Sequence, residues 1–229
     1  MCTMMADYKE EFVKFMVRSD VLTFGDFVTK SGRKTPYFVN TGKFTTSEQI
    51  SKLGQFYASC IRENLPEEDY TMLYGPAYKG IPLVVAAATG LFRDFKVDIP
   101  FSFNRKEAKD HGEGGTIVGY APKDGDKVLI VEDVITAGSS VRESVPILKG
   151  AANVEVTSLV IAVDRMEKGQ GARSAIDEVR EEFGIKTYAI VTIREVVEVL
   201  YNRPVDGKIY IDDAMKAAIE AHLEANEPS

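Results

Sequence analysis

The chain has 229 residues, 45% hydrophobic and 28% charged, with a formal net charge of −7. That balance is ordinary for a globular protein and excludes a disordered chain, a collagen and a coiled-coil rod; the acidic sign argues against a surface that grips nucleic acid throughout. Two cysteines, Cys2 and Cys60, cannot build a disulfide framework. No apolar run approaches the roughly 20 residues of a membrane span, and the N-terminus lacks a basic region followed by an apolar core, so a cytoplasmic protein is expected.

Taken in order, residues 4–18 place Met5, Tyr8, Phe12, Phe15 and Met16 on one helical face. Residues 24–44, rich in Gly, Thr and aromatics, read as an extended hairpin or loop. A helix over 45–65 opens with two candidate capping boxes, Thr45-x-x-Glu48 and Thr46-x-x-Gln49. A short strand at 70–74 precedes an apolar helix at 81–92 with Pro82 near its first turn. Strands are expected at 99–103, 116–120 and 127–131, then a helix at 139–149 with Gly150 as its C-cap. Residues 154–163 are continuously apolar, the pattern of a strand buried on both faces. Ala172, Ile176, Val179 and Phe183 line the next helix, which Gly184 stops, and a strand follows at 185–191. Thr192-x-x-Glu195 caps a helix through Tyr201, and a last helix covers about 212–225. Repeated strand–helix units predict an α/β fold with a mostly parallel central sheet flanked by helices. In such sheets ligands bind beyond the carboxyl ends of the strands.

The strongest chemical signal is Val128-Leu129-Ile130-Val131-Glu132-Asp133-Val134-Ile135-Thr136-Ala137-Gly138-Ser139-Ser140. An apolar strand ends in two carboxylates, a loop of small residues follows, and a helix begins. N–H groups at the helix start, with the hydroxyls of Thr136, Ser139 and Ser140, suit a phosphate monoester, and Gly138 permits close backbone approach. Glu132 and Asp133 would repel phosphate; ribose hydroxyls, which need acceptors, or magnesium held through water are the roles open to them. A solvated acidic pair on an ordinary turn is the alternative. No G-x-x-x-x-G-K-[ST] occurs, and Gly169-Gln170-Gly171 continues as Ala172-Arg173-Ser174, which fails the dinucleotide fingerprint.

Two further segments leave alternatives open. Residues 104–115 carry Arg105, Lys106 and Lys109 but also Glu107, Asp110 and Glu113, a formal charge of zero with His111 neutral. By charge alone this is a solvated loop, with Gly112, Gly114 and Gly115 allowing hinge-like movement. Arg165 directly follows an apolar strand, where a guanidinium could grip a carboxylate in bidentate fashion or pair with Asp164 or another acid. His222 has no evident role.

The string at 128–140 resembles the signature for 5-phosphoribosyl 1-diphosphate (PRPP) in type I phosphoribosyltransferases. Three segments make the resemblance more specific, and all three look like orotate phosphoribosyltransferase: Lys30-Ser31-Gly32-Arg33-Lys34-Thr35-Pro36-Tyr37-Phe38, Gly75-Pro76-Ala77-Tyr78-Lys79-Gly80-Ile81-Pro82, and Phe103-Asn104-Arg105-Lys106-Glu107-Ala108-Lys109-Asp110-His111-Gly112-Glu113-Gly114-Gly115. The similarity runs from about Tyr8 to about Asn202. It implies a type I phosphoribosyltransferase-like fold in one domain, residues 1–229, with a small N-terminal hood mainly from residues 1–45 and a flexible basic lid loop.

The resemblance also implies the activity: Mg²⁺-dependent transfer of the phosphoribosyl group from PRPP to N1 of orotate, giving orotidine 5′-monophosphate and pyrophosphate in pyrimidine biosynthesis. Glu132 and Asp133 would contact the ribose hydroxyls, Thr136, Ala137, Gly138, Ser139 and Ser140 would cradle the 5′-phosphate, and Val134 and Ile135 would also bind PRPP. Tyr78, Lys79, Arg105, Lys106, Lys109 and His111 would face pyrophosphate, with Arg105, Lys109, His111 and Asp133 as the catalytic groups. Lys30, Phe38, Val39, Thr136 and Arg165 would hold orotate; relatives often have a second Phe where Val39 stands. No direct protein ligand to magnesium is expected, only contact through PRPP and water to Glu132 and Asp133. The implied assembly is a homodimer in which each lid serves the neighbouring site, with no nucleic-acid or membrane partner. A phosphoribosyltransferase for another base and a non-catalytic PRPP-binding regulator are the rival readings.

Overall fold

The computed structural model describes residues 7–28, 32, 34–109, 115–169 and 171–228, with backbone alone at 107–109 and 115. Helix α1 (Asp7–Arg18) buries Phe12, Val13, Phe15, Met16 and Val17. Strands β1 (Leu22–Val28) and β2 (Lys34–Val39) form an antiparallel hairpin, pairing Leu22 with Val39 and Phe24 with Tyr37. Helix α2 (Ser47–Asn64) starts at Thr46, whose hydroxyl accepts from the Gln49 N–H while the Gln49 side chain returns to the Thr46 N–H. Of the two candidate boxes this is the one that closes; Glu48 pairs with Lys52 instead, one helical turn on.

Strands and helices then follow in chain order. They are β3 (Met72–Gly75), α3 (Gly80–Phe95), β4 (Phe101–Lys109), β5 (Gly115–Gly119), β6 (Lys127–Glu132), α4 (Ser139–Ala151), β7 (Glu155–Asp164), α5 (Ala175–Phe183), β8 (Lys186–Thr192), α6 (Ile193–Leu200) and α7 (Asp213–Ala225). Six strands make one sheet in the order β5-β4-β3-β6-β7-β8, parallel throughout except where β4 meets β5.

The alternation of side chains along each strand divides the interior in two. Leu73, Leu129, Val131, Val160 and Ala162 face a core shared with α1, α2, α3, α6 and α7. Met72, Tyr74, Val128, Ile130, Leu159 and Ile161 face a second core closed by α4 and α5. Each large aliphatic side chain removed from either core costs about 2–5 kcal/mol, so the central strands and the loops at their ends rest on rigid support.

Three expectations are corrected. Gly150 lies inside α4, which ends instead at Ala152 in extended backbone, its N–H bonded to the Leu148 carbonyl. Ala172 is exposed and precedes α5, whose N-cap is Ser174. The fourth strand continues through Lys109, so Arg105 and Lys106 stand on a strand rather than in a loop. That strand pairs with β5 at both ends, Asn104 with Ile117 and Lys109 with Gly115, and a register shift lies between.

Candidate active site

The sheet order fixes where a site can form. From β3 the chain runs outward to β4 and β5, then returns to lay β6 on the other side of β3. The loops leaving β3 and β6 therefore diverge, and a crevice opens at this switch point. A cavity of about 330 Å³ lies there, lined by Ala77, Tyr78 and Lys79 from one loop and by every residue from Glu132 to Ser140 from the other.

Glu132 and Asp133 sit at the floor, 8% and 6% exposed. Two buried carboxylates side by side need donors, and the fold supplies them. Asp133 Oδ2 receives Lys79 Nζ at 2.8 Å and the Thr41 hydroxyl at 3.0 Å, while Oδ1 receives the Val134 N–H at 2.8 Å. Glu132 Oε2 accepts from the Asp133 N–H at 3.0 Å, and the Glu132 carbonyl accepts from the buried Tyr57 hydroxyl at 2.7 Å. Burial, and then the neighbouring Asp133, push the Glu132 carboxyl well above the usual carboxylate range.

Helix α4 begins immediately beyond. Its N-cap is Gly138 in the left-handed region, with φ of 70°, so no side chain caps the first-turn N–H groups. The loop is fixed from behind by Arg142, which donates to the Ala137 carbonyl and reaches Glu182 at 2.8 Å and Glu178 at 3.2 Å on α5. Thr136 and Ser139 are exposed on the same loop. Together these groups set N–H donors and hydroxyls at the positive end of the helix dipole, the chemistry that suits an anion.

The other wall is cationic. Lys79 is 60% exposed although tethered to Asp133. The Ala77–Tyr78 peptide is cis, and the Ala77 N–H donates to Asn104 Oδ1 on β4 at 2.8 Å. Lys106 Nζ lies 5.5 Å from the centre of the Tyr78 ring, a cation–π contact that ties β4 to the loop after β3. Arg105 has a buried Nη1 with no hydrogen-bond partner among the described residues. Lys109 contributes its backbone to β4, while Lys30 and His111 lie outside the described residues.

Arg165 follows β7, but its acidic partner is Glu167, not Asp164. Nε and Nη2 meet the Glu167 carboxylate at 3.2 and 2.7 Å, whereas Asp164 accepts from the Met166 N–H. Tyr37 flanks Arg165, its ring centre 6.0 Å from the guanidinium. On the same strand as Tyr37, Phe38 is 44% exposed and Val39 packs against the core.

Sequence reasoning missed Thr41, Tyr57, Asn104, Arg142 and Glu167. Only Arg142 left a trace, since Glu178 and Glu182 are spaced four apart on the facing helix. Among the described residues no group of three or more His, Cys, Asp or Glu is placed to hold a metal. The carboxylates of Glu132 and Asp133 are hard oxygen donors that suit a hydrated divalent cation.

Residues 40–188 match the family described as phosphoribosyl transferase domain. The chain is 56% identical over 220 residues to the orotate phosphoribosyltransferase of Clostridium beijerinckii, covering 96% of this chain and 98% of that one. It is 54% identical over 220 residues to the orotate phosphoribosyltransferase of Lachnoclostridium phytofermentans, covering 96% and 97%. A crystal structure of the orotate phosphoribosyltransferase of Francisella tularensis superposes with a TM-score of 0.81 at 34% identity, covering 95% of this chain and 99% of that one.

Proposed function

The chain belongs to the orotate phosphoribosyltransferases, glycosyltransferases of pyrimidine biosynthesis, and from that premise we propose how its residues carry out the transfer. The observation that carries the reading is the buried pair Glu132 and Asp133 beside an uncapped helix N-terminus, with Lys79 across the cleft.

The first-turn N–H groups of α4 and the hydroxyls of Thr136, Ser139 and Ser140 take the 5′-phosphate of PRPP, with Val134, Ile135, Ala137 and Gly138 giving the loop its shape. Ribose hydroxyls donate to Glu132 and Asp133, entering a space where carboxylate oxygens are already desolvated. Lys79 then exchanges Asp133 for pyrophosphate, joined by Tyr78, Arg105, Lys106, Lys109 and His111. Magnesium, carried with PRPP and reached through water by Glu132 and Asp133, would neutralise charge on the leaving group. Arg165 binds the orotate carboxylate, with Lys30, Phe38, Val39 and Thr136 completing the base pocket. N1 of the base forms its bond to the anomeric carbon as the bond to pyrophosphate breaks; pyrophosphate leaves with the electron pair and takes up the proton that N1 gives up. No protein nucleophile takes part; the side chains hold the reactants in line and neutralise developing charge.

The full reading is one phosphoribosyltransferase domain, with a hood from residues 1–45, working in the cytoplasm as a homodimer whose lids close over neighbouring sites. Val85, Phe92 and Phe95, exposed apolar side chains on α3, support an interface between copies. Lid closure would exclude water from a reactive sugar cation.

Loss of orotate absorbance on adding PRPP and magnesium, with a control lacking magnesium, tests the reaction. Lys79→Ala should lower turnover by roughly 10²- to 10³-fold, the usual consequence of losing one charge-stabilising contact, in a variant that still melts cooperatively. Near-normal turnover in that variant would remove Lys79 from the chemistry.

A further inference from the structure

We propose that His222, on the C-terminal helix α7, is a positioning residue for the base site: it holds Glu167, and Glu167 holds Arg165 ready for the substrate's carboxylate. The inference rests on the reading of Arg165 as the partner of orotate. It concerns an element beyond residues 40–188, the span of the family match.

Glu167 is the hub. Its side chain is 5% exposed, and three residues far apart in sequence converge on it. Oε1 receives Arg165 Nε at 3.2 Å, the Tyr37 hydroxyl at 2.5 Å and His222 Nε2 at 3.1 Å, while Oε2 receives Arg165 Nη2 at 2.7 Å. Burial alone would raise the Glu167 carboxyl, but Arg165, Tyr37 and His222 together outweigh it and hold the group below its ordinary value. The carboxylate is ionised, and its orientation depends on keeping its donors.

His222 is itself held in the orientation that makes it a donor. The Asn226 side-chain amide donates to the His222 carbonyl at 2.7 Å and lies 3.4 Å from His222 Nδ1. An acceptor role for Nδ1 places the proton of a neutral imidazole on Nε2, facing Glu167. The ring meets Tyr37 edge to face at 5.8 Å. The loop after β7 is tied to the same helix end, the Lys168 N–H donating to the Asn226 carbonyl at 2.8 Å.

The gradation of exposure gives each residue a different part. Arg165 is 20% exposed, whereas Glu167 and His222 are 5% and 7% exposed. A substrate can therefore touch the guanidinium but not the groups behind it. With Nε and one Nη2 proton committed to Glu167, the guanidinium retains N–H groups on Nη1 and Nη2 for a second carboxylate. Loss of the His222 donor frees Glu167 to turn, and Arg165 turns with it.

The test is steady-state kinetics on the full chain, with orotate and PRPP varied separately. His222→Ala removes the donor; His222→Leu removes it while keeping the volume that seats α7. Either variant that melts above the assay temperature should raise the KM for orotate about tenfold, the equivalent of one hydrogen bond to a charged group. The KM for PRPP should stay within about twofold, since His222 acts on the base site alone. His222→Gln, whose side-chain amide can donate to Glu167, should restore the KM for orotate; a purely architectural histidine would show neither the split nor the rescue. Arg165→Ala separates the premise from the inference. If Arg165→Ala raises the KM for orotate and the His222 variants do not, the positioning role is overturned while the reading of Arg165 stands. If Arg165→Ala leaves that KM unchanged, the reading of Arg165 falls first.

Discussion

Glu132 shows how one side chain can serve binding at the expense of stability. Its carboxyl titrates above the ordinary value because burial and then Asp133 disfavour the anion. The folded protein therefore holds this proton more tightly than the unfolded chain does. The associated stability is complete below the unfolded value of 4.5 and is lost as pH rises through the raised folded value. Glu132→Gln abolishes that loss. Its melting temperature should match the parent near pH 4, exceed it increasingly from there to about pH 8, and keep a constant lead at higher pH, as followed by thermal melts across a pH series. Coincident melting curves at every pH would mean that Glu132 is ionised and well accommodated in the ligand-free protein. The natural residue is then understood as a pre-dehydrated acceptor kept for ribose hydroxyls.

At the scale of elements, α2 and α3 meet so closely that glycine is required on both. A Cβ on Gly90 would lie 2.3 Å from the Gly54 carbonyl oxygen, and one on Gly54 would lie 2.2 Å from the Ala86 carbonyl oxygen. Helix propensity alone would favour Gly90→Ala by about 1 kcal/mol. The clash is with backbone and no rotamer relieves it, so overpacking at about 1–3 kcal/mol wins. Gly90→Ala should lower the melting temperature by about 2–4 °C per kcal/mol at this chain length; a higher melting temperature would show that the helices are less closely packed. The spacing matters for the site because α2 carries Tyr57, which holds the Glu132 carbonyl, and α3 starts at the Lys79 turn.

Elements with a strong local signal were legible in the sequence. The apolar periodicity of α1, the continuous apolar run of β7, the boxes at Thr46 and Thr192 and the stop at Gly184 all report short-range physics, and all form. The extension of β4 through Lys109 was hidden because alternating charges there resemble a solvated loop, whereas the strand draws its stability from pairing with β5. Gly150 misled because glycine is tolerated in the last turn of a helix, and here the helix runs one residue further, through Ala151. The cleft was legible as a motif, but its support was not. Thr41 reaches Asp133 across 92 positions and His222 reaches Glu167 across 55, and nothing in a local window marks such pairs.

For the molecule as a whole, topology and charge act together. The net charge is −7, yet the proposed substrate is a polyanion. Attraction must therefore be local, within the roughly 8 Å over which physiological salt screens exposed charges. The switch point between β3 and β6 meets this need by placing Lys79, with Lys106 over the neighbouring Tyr78 ring, on one side and the α4 N-terminus on the other. The acidic pair lies between them and would be an electrostatic fault unless hydroxyl donors were meant to arrive. The most direct measurement is calorimetric titration of PRPP into the protein and into the double variant Glu132→Gln with Asp133→Asn. At a pH above the raised Glu132 value, where both carboxyls are ionised, weakening by about 100-fold is expected, two charge-assisted hydrogen bonds at roughly 1.4 kcal/mol each, in a variant that still melts cooperatively. Equal affinity for PRPP in the two proteins would contradict it.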